Sequence, residues 1–254
     1  MQKRRLFLSM SLALAATGFL AGAAQAHDWS WGGGERIKGS GEIVSETREP
    51  GAFDGVAMGG SFKVLIRQSS SNKLQIKTDK NILPYIETRI SESGKGRTLE
   101  IGTKRGYNIS PSSKTELIVE MPQMRQVSIS GSGDIKIEPM KTGPVEISVS
   151  GSGDLKFDNL QSERLGISVA GSGDVGGSGK TGELKISVSG SGDVKLRDLA
   201  AEDAKVSIAG SGDAVVNVSR KLSVSVAGSG DVSYVGSPEI STSIAGNGKV
   251  RKVN

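Results

Sequence analysis

Val127-Ser128-Ile129-Ser130-Gly131-Ser132-Gly133-Asp134-Ile135-Lys136-Ile137 is a strand pattern that runs straight through two glycines. Val127, Ile129, Ile135 and Ile137 occupy alternate positions, and Gly131 and Gly133 keep the same parity between them. Ser128, Ser130, Ser132, Asp134 and Lys136 take the other parity. Period-two alternation gives a strand with one buried and one wet face. Glycines on the buried side leave nothing to fill the interior, so the chain bends there or the opposite wall comes close. Gly-Ser-Gly-Asp recurs from Gly131, Gly151, Gly171, Gly190, Gly210 and Gly228, and Gly246-Asn247-Gly248-Lys249 closes the series. The spacings are 20, 20, 19, 20, 18 and 18 residues. A fixed period near 20 marks a solenoid, whose repeats bury their apolar faces only by stacking.

The flanking copies keep the alternation, as in Ile147, Val149, Leu155 and Phe157, or Ile186, Val188, Val194 and Leu196. Short polar stretches separate them, at 139–144, 158–164, 176–182, 198–203 and 218–221. Each repeat therefore supplies a strand, a glycine corner, a second strand and a return turn, which is one coil of a parallel β-helix. Coils about 4.8 Å apart make the seven copies a column roughly 30 Å tall. A disordered Gly/Ser linker would lack this alternation.

The chain opens with Lys3, Arg4 and Arg5, an apolar run to Ala23, and Ala24-Gln25-Ala26. This order predicts a signal peptide over 1–26, cleaved between Ala26 and His27, and hence export to the periplasm or cell surface of a Gram-negative bacterium. Arg4-Arg5-Leu6-Phe7-Leu8 partly matches a twin-arginine signal, but an ordinary secretion signal is the preferred reading. Residues 27–48, with Trp29 and Trp31, are polar and Gly-rich and read as a flexible lead-in. Residues 49–126 read as the N-terminal β part of the solenoid, with strands at Phe62–Ile66, Leu74–Ile76, Thr98–Ile101 and Glu116–Val119. Over 81–90, where Pro84 argues against a regular helix, the choice is a helical turn or an irregular strand. Residues 127–254 hold the repeat coils of the same domain.

Loss of Lys3, Arg4 and Arg5 would take three charges from the formal +5. The remaining basic residues are interleaved with acidic ones, so nucleic acid is not an expected partner. There is no cysteine, which excludes disulfides, thiolate chemistry and lipid attachment through Cys. Gly makes up 36 of 254 residues, about twice the usual share. Aromatics are 4%, a composition that suits thin stacked layers.

The Phe53-Asp54-Gly55-Val56 opening and the repeated Ile-Ser-Val-Ser-Gly-Ser-Gly-Asp segments, with the signal peptide, resemble the bacterial head GIN domain family of auto-transporter adhesins over about residues 50–253. The resemblance implies an exported, all-β, right-handed parallel β-helix. It brings no catalytic residues. No barrel-forming segment follows the last repeat, so self-anchoring in an outer membrane is not expected.

Asp134, Asp154, Asp174, Asp193, Asp213 and Asp231 should form an outward column beside the corner serines. Two carboxylates ~4.8 Å apart repel by roughly 1 kcal/mol in water and roughly 3 at an effective dielectric near 20. Three arrangements relieve this: pairing with Lys136, Lys156 and Lys195, Asx-type bonds from the glycine amides at the corner, or bridging cations such as Ca²⁺. Capping and lysine pairing are preferred, because the spacing fits the nonapeptide calcium repeat poorly and Lys249 replaces Asp in the last copy. His27 is the only histidine, so common acid–base and nucleophile pairs are missing and no enzyme is expected. The leading expectation is an exported binding module whose stacked Ser, Asp and Lys surface contacts an envelope or cell-surface protein or glycan. A periplasmic structural or stress-related module that binds a partner protein, or self-assembles into a homo-oligomer at an uncapped end, is the alternative. A polysaccharide-active enzyme ranks last.

Overall fold

The computed structural model describes residues 34–94 and 96–253. The expected signal peptide, the Ala26/His27 cleavage site, Trp29 and Trp31 lie outside them. The strands, in chain order, are β1 (Glu35–Lys38), β2 (Ile43–Arg48), β3 (Gly55–Gly60), β4 (Lys63–Gln68), β5 (Lys73–Asp79), β6 (Ile86–Ser93), β7 (Gly96–Thr103), β8 (Tyr107–Ser110), β9 (Glu116–Met121) and β10 (Gln126–Gly131). There follow β11 (Asp134–Ile137), β12 (Met140–Lys141), β13 (Val145–Gly151), β14 (Asp154–Gly171), β15 (Val175–Gly190), β16 (Val194–Gly210), β17 (Ala214–Gly228), β18 (Val232–Val235), β19 (Glu239–Gly246) and β20 (Val250–Lys252). A single 3₁₀ turn at Leu83–Tyr85 precedes β6, so 81–90 holds both a turn and a strand.

From β10 onward the chain is a β-solenoid of stacked parallel coils. The register repeats from coil to coil: Gly131 pairs Gly151, Gly151 pairs Gly171, and so on to Gly228 with Gly246. Like residues therefore stack on like. Val127, Ile147, Ile167, Ile186, Val206 and Val224 form one buried column, and Ile135, Leu155, Val175, Val194, Ala214 and Val232 form another. The core is a single cluster from Phe53 to Val232.

The return segments differ from the turns expected. Residues 158–164, 176–182, 198–203 and 218–221 lie within the bent strands β14 to β17. Main-chain pairing continues through them, with register shifts such as that between Phe157 and Leu160, and makes a third wall. Buried Leu160, Leu199 and Val218 point inward from it. Their neighbours are polar apart from Ala200, so local alternation is weak. The pairing is imposed by the coils on either side.

The N-terminal part joins the same stack. β3 runs parallel to β10 and β7, and β4 runs parallel to β11 and β9. Antiparallel strands then close this end: β6 on β7, β5 on β9, and β2 on β5. The expected lead-in at 27–48 is thereby corrected over its described part. β2 is fixed along its length by β5, and β1 pairs with β8 in a separate two-stranded sheet. Buried Asp79 anchors the turn between β1 and β2. Its carboxylate accepts hydrogen bonds from Gly41 N–H (2.6 Å), Ser112 N–H (2.8 Å) and Ser112 Oγ (2.6 Å). The Asp54 carboxylate accepts from Arg125 Nε at 3.1 Å and Nη2 at 2.7 Å, and from Arg97 N–H at 3.1 Å.

Candidate binding surface

The glycine corner is built by close approach. At the first glycine φ is positive, +129° at Gly190 and +139° at Gly210, a region that L side chains rarely adopt. At the second, a Cβ on Gly192 would lie 2.2 Å from the Gly173 carbonyl oxygen, and one on Gly212 2.2 Å from that of Gly192. The second glycines are buried, and Ser132, Ser152, Ser172, Ser191, Ser211 and Ser229 are exposed at the bend. Each first-glycine carbonyl from Gly131 to Gly210 accepts the serine N–H of the next coil, as in Ser211 to Gly190 at 2.9 Å, and that of Gly228 accepts Asn247 N–H at 2.9 Å.

The aspartates form the expected column, held by a bond between coils. From Asp154 onward each carboxylate accepts the N–H of the residue stacked on it: Asp174 on Asp154 (3.1 Å), Asp193 on Asp174 (3.0 Å), Asp213 on Asp193 (3.1 Å), Asp231 on Asp213 (2.8 Å) and Lys249 on Asp231 (2.9 Å), whereas the Asp154 amide donates to the Gly133 carbonyl at 3.2 Å. The donor is the next aspartate's own amide, where a glycine amide was expected. Lys195 spans two rungs, at 3.0 Å from Asp174 and 3.2 Å from Asp193. Lys136 turns instead to Asp158 at 2.9 Å, and Asp134 is met by Lys114 at 2.8 Å. Lys156 acts on Asp174 through its charge. Burial pushes the Asp174 carboxyl up, but the Asp193 amide and the Lys195 ammonium outweigh it and hold the group below the usual carboxylate range.

Lysine ends this column on both sides. Lys249 follows Asp231, and Lys63 stands in register with Asp134. Gly60-Ser61-Phe62-Lys63 is thus a further corner, which reading by fixed period misses because residues 69–125 intervene. Phe62 takes the second-glycine position and is buried there, since no glycine corner is stacked beneath it.

Two extended surfaces run along the stack. On the wall before each corner, Ser128, Ser148, Ser168, Ser187, Ser207, Ser225 and Ser243 stand in register, none of them buried. Beside them runs a column of Ser130, Ser150, Ala170, Ser189, Ala209, Ala227 and Ala245. No charge interrupts either column, so this strip of the wall is hydroxyl-rich and regular, and the exposed charges Glu146, Lys185 and Lys205 lie in the next column along. The third wall carries a shallow groove of about 590 Å³, lined by Lys141, Gln161, Ser162, Lys180, Thr181 and Asn217 among others. All of its residues but Asn217 come from segments expected as turns, which is why sequence reading does not place them together.

The family model described as "Putative auto-transporter adhesin, head GIN domain" matches residues 52–238. The chain belongs to the head GIN domain family. Solved structures share its fold. A "putative adhesin" from Bacteroides fragilis superposes with TM-score 0.80 at 24% identity, over 85% of this chain and 100% of its own. A "putative lipid binding protein" from Parabacteroides distasonis gives 0.72 at 27%, over 87% and 100%. A "putative adhesin" from Parabacteroides merdae gives 0.68 at 22%, over 87% and 100%. A search of curated proteins returns no match. Among the described residues no helix is long and apolar enough to cross a membrane, and no group of three or more acidic, His or Cys side chains is placed to hold a metal ion.

Proposed function

We propose that this head GIN protein is an exported, non-enzymatic binding module of the cell envelope, and that it contacts a cell-surface glycan or protein through its serine wall. The observation that carries this reading is the uninterrupted column of outward serines from Ser128 to Ser243. Short hydroxyl side chains lose little rotamer freedom on contact, and each both donates and accepts. A flat array repeating at the coil spacing fits an extended polymer or another flat protein face, and solenoids bind through such faces. The adhesin description of the family supports the same reading.

The test combines topology and binding. Protease added to intact cells should remove the protein, and the purified protein should bind intact cells or isolated envelope glycans. Ser168→Lys with Ser207→Lys should lower that binding at least tenfold and leave the melting temperature within about 2 °C, since both side chains are exposed. Resistance to protease on intact cells, with cleavage only after the outer membrane is opened, would move the protein to a periplasmic partner and overturn the surface reading.

A further inference from the structure

The two ends of the solenoid are finished differently. At the N-terminal end the edge strands are antiparallel and charged: β6 carries Glu87, Arg89 and Glu92, and β2 carries Glu46 and Arg48. Such charges block edge-to-edge pairing. At the other end β19 pairs, among the described residues, with β17 alone, and every residue from Glu239 to Gly246 is exposed. Ile240, Thr242 and Ile244 are nonetheless core positions, stacked on Leu222, Val224 and Val226. Ile240 is 39% exposed and Ile244 42%, whereas Leu222 and Val226 are each 1%. Among the described residues nothing covers this edge. It bears one charge, Glu239.

The sequence of the edge names its occupant. Ile240-Ser241-Thr242-Ser243-Ile244 reads the same in both directions. An isologous interface is one patch meeting itself, so that residue i contacts j and j contacts i. A two-fold axis perpendicular to the sheet, midway between the Thr242 residues of the two copies and parallel to the inward side chains, would pair β19 antiparallel with its own copy. Ile240 would face Ile244 of the second copy, Ser241 would face Ser243, and Thr242 would face Thr242. Inward residues stay inward under this rotation, so the exposed isoleucines would meet as a continuation of the core. The two Glu239 carboxylates would stand about 20 Å apart, at opposite ends of the pair. We infer that β19 is a dimerisation edge that joins two copies end to end through the self-complementary strand Ile240–Ile244.

The absence of cysteine allows a direct test on the full chain. Facing residues of an antiparallel pair have Cα atoms about 4.5–5.5 Å apart, within disulfide reach. Thr242→Cys should therefore cross-link to itself under mild oxidation at low micromolar concentration, and Glu239→Cys should not. Sedimentation velocity should show a dimer of the unaltered chain. Ile240→Lys should weaken it at least tenfold. Ile240→Lys combined with Ile244→Glu should restore it, because each new lysine would face a new glutamate across the axis. Circular dichroism monitors folding of every variant, and the cysteine variants decide the matter should the charged ones unfold. Three results would each overturn the inference: a monomer at all concentrations, equal cross-linking of the two cysteine variants, or assemblies larger than a dimer.

Discussion

At the residue scale, glycine in this protein is required by the backbone of the neighbouring coil. A Cβ at position 192 would sit 2.2 Å from a carbonyl oxygen that is itself fixed in the stack. Nothing flexible can yield, so Gly192→Ala should cost about 2–4 kcal/mol. That corresponds to roughly 5–15 °C in melting temperature, measured by calorimetry. Ser191→Ala, one residue away and exposed, should stay within about 2 °C. The aspartate column separates two roles that one residue plays. In Asp213→Asn the side-chain oxygen still accepts the Asp231 amide, and one charge leaves a crowded column. Asp213→Ala leaves that amide without its acceptor. The alanine variant should lose about 1 kcal/mol relative to the asparagine variant in chemical denaturation. Equal stability of the two would mean that charge, not hydrogen bonding, keeps aspartate there.

At the element scale, the strands that alternate clearly were legible, and those held by their neighbours were not. Val127–Ile137 announces its two faces in its own residues, and Lys63–Gln68 does much the same. β2 does not: its residues are mostly polar, and its order comes from β5 alongside it and from Asp79 beneath its leading turn. The third wall is hidden for a related reason. Gly176 to Gly182 looks like a loop, yet both neighbouring coils pair with it through most of its length. The column of aspartates was readable from spacing, whereas the amide each one captures depends on an intercoil geometry that spacing does not carry. The pinning residues give these elements an acid limit. Hydrogen bonding from Ser112 holds the Asp79 carboxyl below its ordinary value, and the Arg125 guanidinium does so for Asp54. A depressed folded pKa contributes stability above the unfolded value, near 4, which is lost as pH falls through the folded one. Thermal stability should therefore stay level from pH 7 to about 5 and fall below about 4. In Asp79→Ala, hydrogen exchange of the β2 amides should become much faster and that of β15 should not change.

At the scale of the whole described solenoid, the coil is the unit of construction. Gly190 and Gly210 occupy one register position, so excising residues 191–210 joins Gly190 to Ser211 and rebuilds a Gly-Ser-Gly-Asp corner. The shortened chain should fold with unchanged circular dichroism per residue and melt only a few degrees lower, since each coil interacts chiefly with its neighbours. Removing 191–200 instead deletes a corner and one wall, and limited proteolysis should cut that variant at the junction. The bonds along the aspartate column also have a sense. Each carboxylate belongs to the earlier coil, and each amide it receives belongs to the later one. The structure is therefore a template that reads forward: a finished coil displays the acceptors its successor needs, and the successor offers none of that kind in return. Chains lengthened from the N-terminus can set one layer at a time on a floor already laid, whereas a C-terminal fragment has no floor to settle on. Truncations ending after Gly190, Gly210 and Gly228 should accordingly show protease-resistant cores that grow in steps of one coil, and fragments starting at the same points should show none.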